Sequence, residues 1–310
     1  MDDSKLGRAP FLFVTILTVI ALISQIFTYL FRTDTDAIYK MAGPGPLETG
    51  TWIFVTLLLL YCLWNSILTK GVWLTVVAGV VTLFICWLAE GLGVHYGYVF
   101  GHYHYTDLLG FQIWAVPILV CFAWEPILYS AYYLTDFLLP LQLKESHSII
   151  HRVMLYLIAA TIGGIVTTAW DLMVDPYFVL RGGWVWEEGG SYMQGIVANG
   201  VPMSNYFGWW KVAFVCQIVF RLTLDIGERP PRRSLYLTVY GPMMLYFNLF
   251  IGTFFNMLIY VKRPEIAMIG LLSMGAFLFM GVAKIYLLKT GTGHSVAECF
   301  LTQKAQTPVK

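Results

Sequence analysis

The chain has 310 residues, of which 58% are hydrophobic and only 12% are charged. A soluble globular domain carries about twice that charged fraction, so the composition argues against an ordinary soluble enzyme and favours a membrane protein. The formal net charge of +1 has no strong sign, which excludes the basic surface that nucleic-acid binding requires. Aromatic residues make up 16% of the chain, more than a lipid-facing surface needs.

Eight stretches have the length and apolarity of membrane-spanning helices, each of which needs about 20 mostly apolar residues. They lie near residues 11–31, 50–68, 72–92, 111–135, 149–170, 207–225, 235–260 and 265–288. No small-residue cleavage site follows the first, so it is interpreted as a span and not as a signal peptide. We therefore expect an all-α fold, a polytopic membrane helix bundle forming a single domain over residues 1–310.

The distribution of Lys and Arg predicts the orientation of this bundle. With both termini in the cytoplasm, 13 of the 19 basic residues lie on the cytoplasmic side. We expect a multi-pass protein of the cell membrane in that orientation. The two long connectors, 93–110 and 171–206, then share the non-cytoplasmic side, as a single active site would require.

Carboxylates in or at the ends of spans are the first candidates for chemistry, because an ionisable group in the bilayer core costs roughly 2.5–3.5 kcal/mol. Glu90 and Asp171 end two spans on the same side, and Asp175 follows Asp171 at a helical spacing. Helix capping, or pairing with Arg181, is the alternative for these acids. Glu125 lies in mid-span, where bonding to a neighbouring helix and catalysis are both open.

The first connector contains three histidines and four tyrosines. Metal binding by His95, His102 and His104 is one interpretation. The remaining pair, His147 and His151, falls on the opposite side of the membrane in the predicted topology, so the five cannot form one cluster. We expect no metal ion and no cofactor, and a pocket mouth lined by hydrogen-bonding side chains. Its predicted members are His95, Tyr98, His102, Tyr103 and Tyr105.

The second connector is rich in Gly, Trp and Tyr. Its residues Trp184, Trp186 and Tyr192 fit an interfacial aromatic belt less well than a loop that folds back over a long apolar ligand. The sequence has no aspartate-rich diphosphate motif, P-loop or dinucleotide fingerprint.

These stretches together resemble the integral-membrane carotenoid hydratases, the bisanhydrobacterioruberin hydratase-like family. The resemblance covers roughly residues 50–260 and rests on four stretches of sequence. They are E-G-L-G-V-H-Y-G-Y-V-F-G-H-Y-H-Y from Glu90, V-P-I-L-V-C-F-A-W from Val116, A-W-D-L-M-V-D-P from Ala169, and G-W-V-W through N-Y-F-G-W-W from Gly183.

The resemblance implies a hydro-lyase that adds water across the C1–C2 double bond of an acyclic carotenoid end group without a redox cofactor. It also implies a hydrophobic polyene substrate within the lipid bilayer, and allows association with other enzymes of the pathway. Such a reaction needs a neutral carboxylic acid to protonate C2, aromatic faces to shelter the tertiary cation at C1, and one positioned water.

These requirements assign roles to the carboxylates. Asp171 is followed by apolar residues, and like-charge repulsion from Asp175 favours its protonated form, so we expect Asp171 to be the general acid. Glu90, beside glycines and the polar connector, is expected in a wetter setting as the base that orients water. The other predicted substrate contacts are Trp170, Trp184, Trp186, Tyr192, Asn205 and Glu125.

Two other functions are compatible with the same residues. A carotenoid or terpenoid cyclase would use the same protonation but exclude water, so that an internal alkene captures the cation. A carotenoid- or lipid-binding membrane protein would hold the polyene without catalysis.

Overall fold

The structure, a computed structural model, describes residues 5–31, 45–139, 148–197, 199–226, 234–259 and 261–290. Eight α-helices follow one another along this part of the chain. They are α1 (Arg8–Phe31), α2 (Gly45–Lys70), α3 (Val72–Tyr96), α4 (Ile118–Leu138), α5 (Ile149–Arg181), α6 (Met203–Ile226), α7 (Gly241–Ile259) and α8 (Pro264–Thr290). A π-helical segment, Tyr236–Tyr240, leads into α7.

Each predicted span corresponds to one helix, and the all-α polytopic bundle is confirmed. Seven of the helices are long and apolar enough to cross a membrane. The other is α6, which is 24 residues long and carries the polar residues Lys211, Gln217 and Arg221. The protein is therefore a multi-pass membrane protein.

Helix α5 packs against α4, α6, α7 and α8. Small residues allow two of these contacts to be close. Gly163 on α5 lies against Gln217 of α6, and Gly270 on α8 lies against the buried side chain of Met173. These contacts fix the rotation of α5, and with it the direction in which its acidic residues point.

Two short sheets form in the loops at one end of the bundle. Strand β1 (Tyr103–Tyr105) pairs antiparallel with β4 (Trp184–Trp186), and β2 (Gln112–Ile113) pairs with β3 (Val116–Pro117). In the first sheet Tyr103 is opposite Trp186, and Tyr105 is opposite Trp184. The two long connectors are thus joined directly through their strands.

The second connector is shorter than predicted, because α5 continues past Asp171 to Arg181 and the connector begins at Gly182. The helix passes through Pro176, which has no N–H to donate to the carbonyl of Leu172, four residues earlier. The hydroxyl of Tyr192 donates to that carbonyl oxygen instead, at 2.9 Å.

The first connector also shifts along the chain. Helix α3 continues to Tyr96 and α4 begins only at Ile118, so the connector occupies residues 97–117. The outermost residues of both termini and His147 lie outside the described residues.

Candidate functional site

Asp171 and Asp175 form a buried acidic pair on α5, with exposed fractions of 0% and 1%. One side chain bonds both of them: the Asn205 amide on α6 donates to Asp171 Oδ2 at 2.7 Å and to Asp175 Oδ2 at 2.8 Å. The prediction that the two carboxyls share a helix face is confirmed.

The two carboxyls differ in the hydrogen bonds that they receive. Asp175 Oδ1 accepts from the indole nitrogens of Trp184, at 2.5 Å, and Trp186, at 3.2 Å, so both of its oxygens are bonded. Asp171 Oδ1 is buried and makes no hydrogen bond to a described residue, and the same is true of the hydroxyl of Tyr206. Charge-assisted hydrogen bonds stabilise negative charge on Asp175, and Asp171 is the member with an oxygen left to carry a proton.

Glu90 on α3 lies in a donor-rich setting of its own. Its Oε2 accepts hydrogen bonds from the hydroxyls of Tyr103 and Tyr105, and its Oε1 accepts from Trp124 Nε1 at 2.9 Å. Burial, followed by the charge of Glu90, raises the pKa of both tyrosine hydroxyls well above the ordinary value, so they remain protonated donors.

The expected difference in hydration between Glu90 and Asp171 is not observed. Glu90 is only 4% exposed, because the connector expected to be wet packs over it. Tyr103 and Tyr105, which were predicted to contact substrate, both donate hydrogen bonds to Glu90.

The β1–β4 sheet connects the two acidic centres. The rings of Tyr103 and Trp186 are 4.8 Å apart across the strand pair. Tyr103 donates to Glu90, and Trp186 donates to Asp175. The two connectors therefore bring the predicted catalytic carboxylates into one continuous network of side chains.

A cavity of about 380 Å³ lies between helices α1, α2, α4, α5, α6 and α7, next to this network. Four indoles form part of its wall: Trp124, Trp170, Trp184 and Trp209. Other lining residues are apolar, such as Leu58 and Leu249, and a polar group includes Gln25, Asn256 and Arg181. The site is therefore an aromatic pocket within the bundle.

The three carboxylates lie behind the wall of this cavity. On α5, Trp170 and Val174 line it, whereas Asp171 and Asp175, one position further along, face Asn205 on α6. Among the predicted substrate contacts, Trp170 and Trp184 line the cavity. Glu90 and Asp175 are connected to the cavity by the indoles of Trp124 and Trp184, which line it and donate to them. Asp171 is connected to Asp175 through Asn205.

The predicted pocket-mouth histidines lie on the outer surface of the connector. His95 stacks on Trp114 with ring centroids 4.9 Å apart, and His104 pairs with the exposed Glu187 at 3.4 Å. The exposed members of the predicted set are His95, Tyr98, His102 and His104. Among the described residues, no three His, Cys, Asp or Glu side chains are arranged to hold a metal ion.

Glu125 has a bonding partner outside the cavity. Its Oε2 accepts a hydrogen bond from Thr82 of α3 at 3.0 Å, and the side chain is buried. Of its two predicted roles, this contact fits bonding to a neighbouring helix.

The residues that sequence reasoning missed are Trp124 and Trp209, whose rings stack with centroids 3.8 Å apart on the cavity wall. The available signal was the position of Trp124, in mid-span and away from the interface where tryptophans usually collect.

The chain was also compared with known proteins. No curated protein matches it, and no solved structure matches it either. A comparison with protein families matches residues 50–277, most of the chain, to the family described as carotenoid biosynthesis protein. The match includes Glu90, both aspartates and the four cavity tryptophans. The resemblance seen in the sequence is thus confirmed at the level of the family, and the chain belongs to the carotenoid biosynthesis protein family.

Proposed function

We propose that this protein is a carotenoid hydratase, which adds water across the C1–C2 double bond of an acyclic carotenoid end group. Family membership supports a role in carotenoid biosynthesis and a hydrophobic polyene substrate. The observation that supports the hydration reaction itself is the placement of three buried carboxyls directly behind a cavity walled by indoles.

The size of the cavity is compatible with one end of a long polyene. Its volume of about 380 Å³ is near the lower limit of ligand pockets, which measure about 300–1,000 Å³. One end group fits in that space, and the rest of the polyene would extend between the helices into lipid.

Asp171 is proposed as the acid. Its Oδ1–H bond breaks as the C1–C2 π pair forms a C–H bond at C2, which leaves a tertiary cation at C1. A water oxygen then bonds to C1, and the proton that this water loses returns to the Asp171 carboxylate. The reaction consumes no net proton. Asp171 faces Asn205 on α6 and is absent from the cavity lining, so contact with the double bond requires side chains of the cavity wall to move.

Glu90 is proposed to act electrostatically. Its carboxylate already accepts three protein hydrogen bonds, which leaves little capacity to hold a water as a base. The same three donors stabilise its charged form. A fixed negative charge close to the cavity stabilises a cation that forms there.

Cyclisation is the second candidate, and the predominantly apolar wall of the cavity favours it. A cation that meets no water is captured by an internal alkene of the same polyene. The protonation step is unchanged, so the two reactions differ only in what reaches C1.

Product analysis in a lycopene-producing cell separates these functions. Expression of the chain should give a more polar carotenoid heavier than lycopene by one water. An isomer of unchanged mass would identify a cyclase. Lycopene that co-purifies chemically unchanged, with no product in the cells, would refute both reactions and indicate a binding protein.

A further inference from the structure

Two of the indoles on the cavity wall are bonded to buried carboxylates. Trp124 Nε1 donates to Glu90 Oε1 at 2.9 Å, and Trp184 Nε1 donates to Asp175 Oδ1 at 2.5 Å. A third indole, that of Trp170, donates to the neutral hydroxyl of Thr253 at 3.1 Å. The wall therefore contains two rings with carboxyl acceptors and one ring with a hydroxyl acceptor.

An ionised acceptor changes what an indole can bind. The face of an aromatic ring carries negative potential and attracts cations, and Trp is the strongest of the side chains in this respect. A hydrogen bond from the indole N–H to a carboxylate polarises the donor, since bonded groups polarise one another in a low dielectric. The ring becomes more electron-rich, and its face becomes a better site for positive charge.

This arrangement also protects the cation. A carboxylate oxygen in direct contact with a tertiary carbocation would form an ester bond with it. Here Glu90 and Asp175 are absent from the cavity lining, whereas the rings that they bond are part of it. The negative charge of Glu90 and Asp175 acts on the cavity through the rings, without placing the carboxylate oxygens of these two residues there.

We propose that Trp124 and Trp184 bind the positive charge that develops in this cavity, and that Glu90 and Asp175 act through them as positioning residues. The choice of ligand rests on the proposed function: it is a tertiary cation at the end of an isoprenoid chain. A tertiary ammonium group of the same shape is a stable mimic of it.

The test compares two ligands that differ only in charge. One is an isoprenoid chain ending in a protonated dimethylamino group, and the other is its neutral carbon isostere. The wild-type protein, purified in lipid nanodiscs, should bind the charged ligand more tightly. Glu90→Gln keeps a hydrogen-bond acceptor but removes the charge, and should lower this preference about tenfold, equivalent to 1.36 kcal/mol.

Further variants separate the ring effect from a structural effect. Trp124→Phe removes the N–H and should reduce the preference for the charged ligand by a similar factor. Trp170→Phe, on the neutral acceptor, should reduce it less. Trp210→Phe is the matched control, because its N–H donates to the Thr161 carbonyl at 3.2 Å and its ring does not line the cavity. Unaltered affinity for the neutral ligand shows that each variant is folded.

The outcomes distinguish this inference from the proposed function. Equal wild-type affinities for the two ligands, or an unchanged preference in both Glu90→Gln and Trp124→Phe, would overturn the inference even if the protein hydrates its polyene. A charge preference that depends on Glu90, in a protein that forms no hydrated product, would support cation binding and refute the hydratase assignment.

Discussion

Replacing Asp171 by asparagine should separate catalysis from substrate binding. The amide oxygen can accept the Asn205 hydrogen bond now made by Asp171 Oδ2, and the amide nitrogen would occupy the place of Oδ1, which has no described partner. The protonated acid already has an unpartnered O–H at Oδ1, so the amide adds one further unpaired N–H to the fold, at a cost of about 1–2 kcal/mol. The reaction loses the proton that Asp171 donates, and general acid catalysis contributes about 10²–10⁴-fold to the rate.

The assay measures hydrated carotenoid in lycopene-producing cells, together with pigment retained on the purified protein. We expect bound pigment, no measurable product and a slightly lower unfolding temperature. Asp107→Asn, which changes an exposed carboxyl in the first connector, is the control and should be fully active. Near-normal turnover by Asp171→Asn, with no product of any kind from Glu90→Gln, would show that the acid is Glu90 and that this reasoning is wrong.

Three further predictions follow from the topology, the chemistry and the packing. Cysteines in place of the exposed His104 and Glu188 should react with an impermeant thiol reagent from the side opposite the termini; labelling from the cytoplasm would reverse the predicted orientation. Turnover should survive EDTA, since the proposed step uses only carboxyl groups; loss of activity restored by a metal ion would contradict this. Gly270→Val should destabilise the protein by about 1–3 kcal/mol in thermal unfolding because the new side chain meets the buried Met173. Gly79→Val, at a position with open space around it, should not destabilise the protein. Equal unfolding temperatures for the two variants would show that the contact with Met173 is not what limits the size of residue 270.

Much of the fold could be predicted because membrane spans are encoded locally. About 20 apolar residues and a punctuated connector identify each helix without knowledge of its neighbours. The end of α5 was missed for a physical reason. A proline such as Pro176 normally ends a helix, and the hydrogen bond that satisfies the freed carbonyl of Leu172 comes from Tyr192, in a different segment.

The acidic residues of the site could be found because buried charge is rare and costly in a bilayer. The surroundings of these acidic residues could not be predicted, because they depend on how each helix is rotated about its axis. Residues 170 and 171 are adjacent in sequence, yet Trp170 faces the cavity and Asp171 faces α6. That difference follows from the packing of α5 against four other helices, which no single stretch of sequence records.

The β1–β4 sheet constrains how the protein can be made. Its strands lie at opposite ends of a segment containing α4 and α5, so the ladder from Tyr103 to Trp186 can form only after both helices are inserted. A nascent chain that ends before β4 has Glu90 and Trp124 but lacks the indoles that bond Asp175. Two half-chains divided between α4 and α5 would need to find each other in the membrane, and this strand pair is the contact that would report their assembly.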